Sequence, residues 1–206
     1  MNPTYRPLAN PAPLGLLGFA LTTWLLSMVN AGWFAAGAVS MVLAMAFAFG
    51  GAAQFVAGVC ELPRNNTFGF VAFCSYGSFW LSFALFVTFF QGAHGAAPAS
   101  FVAWYLTLWG VFTLMMWVGS LAIGRAVSTI FGLLWVTFFL LAAADFTGNA
   151  LFKVAGGYFG LATALAAFYL AAAEILEAVR GHEVLPMGRV SAPAPVAAVT
   201  GRFAAA

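Results

Sequence analysis

Six long apolar runs, each close to the length that crosses a lipid bilayer, dominate the sequence. They cover residues 13–29, 35–62, 68–90, 101–123, 127–144 and 154–179. A helix needs about 20 consecutive apolar residues to cross the hydrocarbon layer. Only helices and closed barrels satisfy every backbone N–H and C=O group in lipid, and runs of this length favour helices. The sequence therefore predicts an all-α integral membrane protein, a bundle of six transmembrane helices.

Composition excludes most other classes of protein. The chain is 64% hydrophobic and only 6% charged, so it lacks the polar residues that would cover a soluble surface. Its net charge of +2 is too small to indicate nucleic-acid binding. Cys60 and Cys74 lack metal-ligand spacing, and we expect both to be buried free thiols. The sequence also contains no hydrolase, zinc-protease or P-loop motif, so we expect neither enzyme activity nor a cofactor or metal.

Domain limits and orientation follow from the loops and basic residues. Residues 1–12 are expected to form a cytoplasmic segment, 13–188 a six-helix transmembrane domain and 189–206 a disordered cytoplasmic tail. The first apolar run is too long for a signal peptide, so we interpret it as a retained span. Six of the seven basic residues fall on the side of the termini, and Lys153 alone falls on the other. Because cytoplasmic loops are enriched in basic residues, we expect both termini of this cell-membrane protein in the cytoplasm.

The sequence NPAPLGL, residues 10–16, directly precedes most of the first span. Proline fits the first turn of a helix, where its missing N–H group costs nothing. Asn10 can cap this helix, and Pro11 can take the first helical position. We expect the turn to direct free amides and the positive end of the helix dipole at a small anion. An ordinary capped membrane helix remains an open alternative.

Uncharged hydrogen-bonding side chains recur inside the predicted spans at helical spacing. Such groups suit a small polar solute that must shed its water, and intramembrane polar residues commonly mark a pathway. Serine and threonine also bond to the backbone of their own helix, so packing is an open alternative for each. The candidates for a substrate pathway in these spans are Thr22, Thr23, Gln54, Ser75, Ser78 and Trp109.

Two carboxylates are candidates for a proton-linked role. Glu174 lies well inside the last span, and Glu61 lies at the end of the second. Arg64 follows Glu61 by three residues, which favours a surface ion pair instead. Arg180 likewise follows Glu177 by three residues, so an ion pair within this helix is expected there as well.

Two segments resemble the signatures of the acetate uptake transporters, the succinate–acetate permease family. They are NPAPLGL and NTFGFVAFCSYGSFW, the second covering residues 66–80. The resemblance extends over about residues 8–188. It implies six-helix protomers, each with its own pore, that assemble into a hexamer and transport acetate and succinate. It also implies an apolar constriction, which here would consist of Phe19, Tyr76 and Leu134.

We therefore predict membrane transport of acetate through this constriction, by an anion channel or a proton-coupled permease. The expected partners are the carboxylate, the lipid bilayer and further copies of the chain. Asn10, Pro11 and Leu16 would meet the substrate on the cytoplasmic side, and Asn149 would meet it outside. A urea or short-chain amide channel and a non-transporting scaffold or sensor are open alternatives.

Overall fold

The computed structural model describes residues 8–92 and 95–190, which form six long helices and no strand. Each helix is long and apolar enough to cross a membrane, which confirms the predicted fold class. The predicted N-terminal segment and C-terminal tail fall mostly on residues 1–7 and 191–206, outside the described residues. The helices are α1 (Ala12–Asn30), α2 (Ala36–Arg64), α3 (Thr67–Phe90), α4 (Ala99–Ser120), α5 (Arg125–Thr147) and α6 (Ala150–Arg180).

Helix α2 is not a uniform α-helix. Its centre, Ala46–Ala53, is π-helical and contains the Gly50–Gly51 pair. The pair does not interrupt the helix but lets neighbours come close. A Cβ on Gly50 would lie 2.6 Å from the Thr22 hydroxyl of α1. Because a π-helix bonds residue i to i+5, it rotates the following α-helical turns relative to the preceding ones.

The bundle is built around the contact between α1 and α6, and α5 packs on α6 in turn. At Gly157 and Gly160 the two helices approach so closely that a side chain has no room. A Cβ on Gly157 would collide with the backbone of Ala31, and one on Gly160 with the Ser27 hydroxyl. Small residues of this kind commonly bring membrane helices together. Of the remaining helices, α4 packs on α5, and α2 and α3 pack on each other.

The segment after α6 returns to the start of α5. The backbone N–H groups of Arg125 and Ala126 donate to the carbonyls of Gly188 and Met187, at 2.9 and 3.2 Å. Met187 is buried in the core, and Arg189 forms a single antiparallel bridge with Gly124. This segment therefore caps the first turn of α5, whose following turns include the buried residues Ile130, Phe131 and Leu134.

Candidate functional site

A first cavity of about 160 Å³, here called the Glu61 cavity, opens between α1, α2, α3, α5 and α6. Its polar lining consists of Gln54, Glu61, Asn66 and Glu174, and it includes no lysine or arginine. Apolar side chains supply the rest of the wall. They are Ala12, Leu16, Phe19, Phe68, Gly69, Ala72, Phe73, Tyr76, Ile123, Val127, Ile130, Phe131, Leu134 and Leu170.

The three predicted constriction residues all line this cavity. Phe19, Tyr76 and Leu134 are buried, and the rings of Phe19 and Tyr76 lie 5.9 Å apart. The Tyr76 hydroxyl lies 2.8 Å from that of Thr113, which itself donates to the Trp109 carbonyl at 2.6 Å. Since each hydroxyl has one proton, Tyr76 is the donor to Thr113. The Tyr76 ring is thus held against its neighbours, with its polar end directed away from the constriction.

A second cavity of about 590 Å³, here called the Lys153 cavity, lies further along the same helices. On α3 its lining begins at Phe79 and on α5 at Phe138, each about one turn beyond Tyr76 and Leu134. The Phe79 and Phe138 rings meet edge to face at 5.2 Å. The two cavities therefore lie in series, separated by about one helical turn of apolar side chains. We call this layer the neck; it consists of Phe19, Tyr76 and Leu134 on the side of the Glu61 cavity and of Phe79 and Phe138 on the side of the Lys153 cavity.

Several buried polar atoms at this site have no hydrogen-bond partner within the described residues. They include the Gln54 Oε1 atom and both Glu61 carboxylate oxygens. The Thr23 hydroxyl also has no such partner, but Thr23 lies outside both cavity linings. Gln54 is 1% exposed and Glu61 is 0% exposed. A buried polar group without a partner costs roughly 1–3 kcal/mol, so each one calls for an explanation. Gln54 and Glu61 face the Glu61 cavity, where water or a polar solute can bond to them.

The expectation of free amides at the start of α1 is wrong. The helix begins at Ala12, so Pro11 precedes it rather than taking the first position. The Ala12 N–H donates to Asn10 Oδ1, Pro13 has no N–H, and the next two amides donate to the Pro11 carbonyl. Asn10 serves instead as a link between helices, since its Nδ2 donates to Glu174 at 2.8 Å. The two prolines and one asparagine leave no amide of this turn for an anion.

The ion pairs also differ from the sequence expectation. Glu61 is fully buried, so its contact with Arg64 at 3.4 Å is not a surface ion pair. Arg64 also donates to the Leu8 and Ala9 carbonyls and so holds the approach to α1. Glu177 pairs with Arg189 rather than with Arg180. This hydrogen bond raises the pKa of Arg189, which keeps the guanidinium charged.

The remaining candidates lie outside both cavity linings. Thr22 donates to the Gly18 carbonyl, and exposed Ser78 donates to that of Cys74, so both bond to their own helix. Ser75 is half-buried, and Asn149 caps α6 by accepting from Leu151. Trp109 packs at a tilt against Tyr76 and edge to face against Phe79.

The expectation that both thiols are buried is wrong, because Cys60 is exposed and Cys74 is only half-buried.

Sequence reasoning overlooked the start of α3 as part of the site. Asn66 caps this helix by accepting from the Gly69 N–H at 3.0 Å, and both residues line the Glu61 cavity. A Cβ on Gly69 would lie 3.0 Å from the Glu61 carboxyl carbon and 2.6 Å from Asn66 Nδ2. A larger residue at position 69 would therefore crowd both the Glu61 carboxyl group and the Asn66 side chain. The sequence does contain a signal for this helix start, because asparagine is a preferred N-cap residue and accepts from the amide three residues later, here that of Gly69.

Comparison with known proteins identifies the family and the fold of this chain. A sequence model described as the GPR1/FUN34/yaaH family matches residues 1–189. The succinate-acetate/proton symporter SatP of Escherichia coli K12 is 46% identical over 182 residues, covering 88% of this chain and 96% of that protein. Ammonia transport outward protein 2 of Saccharomyces cerevisiae is 40% identical over 186 residues, covering 85% of this chain and 66% of that protein. The solved structure of the bacterial acetate channel SatP matches with a TM-score of 0.84 and 45% identity, over 88% of this chain and all of that chain.

Proposed function

We propose, given that the chain belongs to the GPR1/FUN34/yaaH family, that it transports acetate and other small carboxylates across a membrane. The observation that carries the proposal is the arrangement of two cavities in series on either side of an apolar neck. Relatives named for acetate and succinate transport support the choice of substrate. A urea or amide channel is not favoured by these comparisons.

In the proposed pathway the substrate sheds its water at the neck. The methyl group of acetate would pass between Phe19, Tyr76 and Leu134, whose apolar surface penalises hydrated ions. Gln54 would accept at its unpartnered Oε1 from the hydroxyl of a protonated acid. The Gln54 Nε2 group and the Thr23 hydroxyl, which lies outside both cavity linings, would donate to a carboxylate. The neck contributes no fixed charge, so binding there is weak enough for rapid release.

Glu61 and Glu174 are the carboxylates proposed to link transport to protons. Both line the same cavity. Glu61 is buried and accepts no hydrogen bond within the described residues, and its one charged contact there is Arg64 Nε, 3.4 Å from Oε2. A carboxyl group in this place can exchange a proton with water or with a substrate in the cavity. A proton on Glu174 would also weaken its hydrogen bond from Asn10, because a neutral acid is a poorer acceptor than a carboxylate.

The proposed orientation places both termini in the cytoplasm, in keeping with the distribution of basic residues. After replacement of Cys60 and Cys74 by serine, a membrane-impermeant thiol reagent added to intact cells should label a His94→Cys variant. It should leave an Arg202→Cys variant unlabelled until the membrane is permeabilised. Labelling of the second variant alone would reverse the orientation.

The family resemblance further implies six copies per assembly, which we retain as a proposal. On the outer side of α4, large apolar side chains are more than half exposed within one protomer, and this face would contact either lipid or a neighbouring copy. These side chains are Phe101, Trp104, Leu108, Val111, Met115 and Val118. Native mass spectrometry of the detergent-solubilised protein should give six times the protomer mass, whereas a monomer would contradict the assembly.

Transport is tested with purified protein in liposomes. Initial uptake of labelled acetate, urea and methylammonium is compared with that of protein-free liposomes, methylammonium being included because one relative is named for ammonia transport. We expect saturable uptake of acetate well above the protein-free rate, and little uptake of the other two. Passage of urea or methylammonium without acetate would refute the proposed function.

A further inference from the structure

The lining of the Lys153 cavity includes one basic and one acidic side chain, Lys153 and Asp145. Lys153 is the single lysine of the chain and the one basic side chain in either cavity lining. Asp145 lines the same cavity, on the opposite side of the turn between α5 and α6. Asp145 is half-buried and Lys153 is exposed. The formal charge of this lining is therefore zero.

Within the described residues, neither Asp145 nor Lys153 forms a contact ion pair. The ion pairs of the described chain join Arg64 to Glu61 and Arg189 to Glu177 and Glu183, all at the other end of the bundle. Polar neighbours in the cavity are uncharged: Asn30, Ser82, Gln91 and Tyr105. Asp145 and Lys153 can therefore both act on an ion that enters the cavity.

We propose that Asp145 and Lys153 together set the charge selectivity of transport, with Asp145 restraining the entry of dicarboxylate dianions relative to monocarboxylates. This inference rests on the proposed carboxylate transport. Lys153 alone would attract a dianion about twice as strongly as a monoanion, in free-energy terms, because the Coulomb interaction scales with substrate charge. Asp145 offsets that preference. At about 590 Å³ the cavity has room for a small dicarboxylate as well as for acetate, so size does not make this selection here.

The expected effect follows from Coulomb's law. For charges about 7 Å apart in water-like surroundings, one unit charge changes the local concentration of a monoanion about two- to threefold. The change for a dianion is the square, about four- to ninefold. Removal of one of the two charges should therefore change the local concentration of the dianion relative to that of the monoanion about two- to threefold. Salt at 1 M shortens the screening length to about 3 Å and should abolish the shift.

The test measures inhibition of labelled acetate uptake in proteoliposomes at pH 8, where both competitors are fully ionised. Succinate and propionate are the competitors, and the readout is the ratio of their half-inhibitory concentrations. This readout does not require succinate to pass the neck. The variants are Asp145→Asn, Lys153→Gln and the double variant. Glu183→Gln and Arg180→Gln serve as matched controls, since they make the same charge changes outside both cavity linings.

The Asp145→Asn variant should favour inhibition by succinate about two- to threefold, and Lys153→Gln should disfavour it by a similar factor. The double variant should return to the original ratio, and neither control should move it. An unchanged ratio in both single variants, shifts in the same direction, or shifts that persist in 1 M salt would each overturn the inference. A protein that takes up no acetate would instead refute the proposed function, so the two failures are distinguishable.

Discussion

Truncation of Leu134 tests whether the neck selects the substrate or merely fills the core. Leu134 is 4% exposed and lines the Glu61 cavity beside Phe19 and Tyr76. In the Leu134→Ala variant three carbon atoms are lost, and the vacated space joins a cavity of about 160 Å³ rather than forming an isolated void. The neck should become wide enough to pass monocarboxylates larger than acetate.

The size of the effect can be estimated from the atoms removed. Loss of three buried carbons, at about 0.8 kcal/mol each, lowers the free energy of unfolding by about 2.4 kcal/mol before any cavity contribution. The fit of one additional methylene-sized group in an apolar site is worth about 1–3 kcal/mol, or roughly 10- to 200-fold in rate. We therefore expect the lactate-to-acetate uptake ratio to rise at least about tenfold.

The assay is uptake of labelled lactate and acetate in proteoliposomes, normalised to folded protein. Leu161→Ala is the matched control, because Leu161 is similarly buried, at 7% exposed, but lines neither cavity. Both variants should lose comparable stability, whereas only Leu134→Ala should change the uptake ratio and increase ion leak. Equal ratios in the two variants would show that Leu134 is an ordinary core residue and would refute the selective neck.

Three further predictions concern other parts of the structure. Glu61→Gln should flatten the pH dependence of acetate uptake, whereas Glu177→Gln should leave it unchanged. If the pH dependence of both variants equals that of the unmodified protein, Glu61 does not carry the proton. Gly157→Ala should lower stability by about 1–3 kcal/mol, measured as a lower melting temperature, because its Cβ would meet the backbone at the end of α1. The control Gly119→Ala, whose Cβ would make only ordinary contacts, should be neutral or slightly stabilising. Tyr76→Phe should cost about 1 kcal/mol through the lost hydrogen bond to α4 yet keep acetate selectivity, since the ring stays in the neck; a loss of selectivity without a loss of stability would contradict this account.

Residues that the sequence identified as functional differ in how well their place could be predicted. Gln54 and Glu61 were selected because they are polar residues in an apolar run, and both prove to be buried in one cavity. Ser78 was selected by the same argument but lies on the exposed side of α3. A short hydroxyl can satisfy itself on the preceding turn of its own helix, so its presence in a span says little about direction. A primary amide or a carboxyl group cannot.

The sequence by itself determined the six helices and most of their limits, because the length and hydrophobicity of each run leave few other structures in a bilayer. Tertiary structure alone decided what those helices present to one another. The π-helical turn in α2 rotated one part of that helix relative to the other, and Asn10 turned from an expected anion site into a link with Glu174. Arg189, from a segment predicted as tail, displaced Arg180 as the partner of Glu177. Local propensity and burial are properties of single segments and can be inferred from one sequence. Partners that are far apart along the chain depend on helix rotation and close packing, and no single segment encodes these.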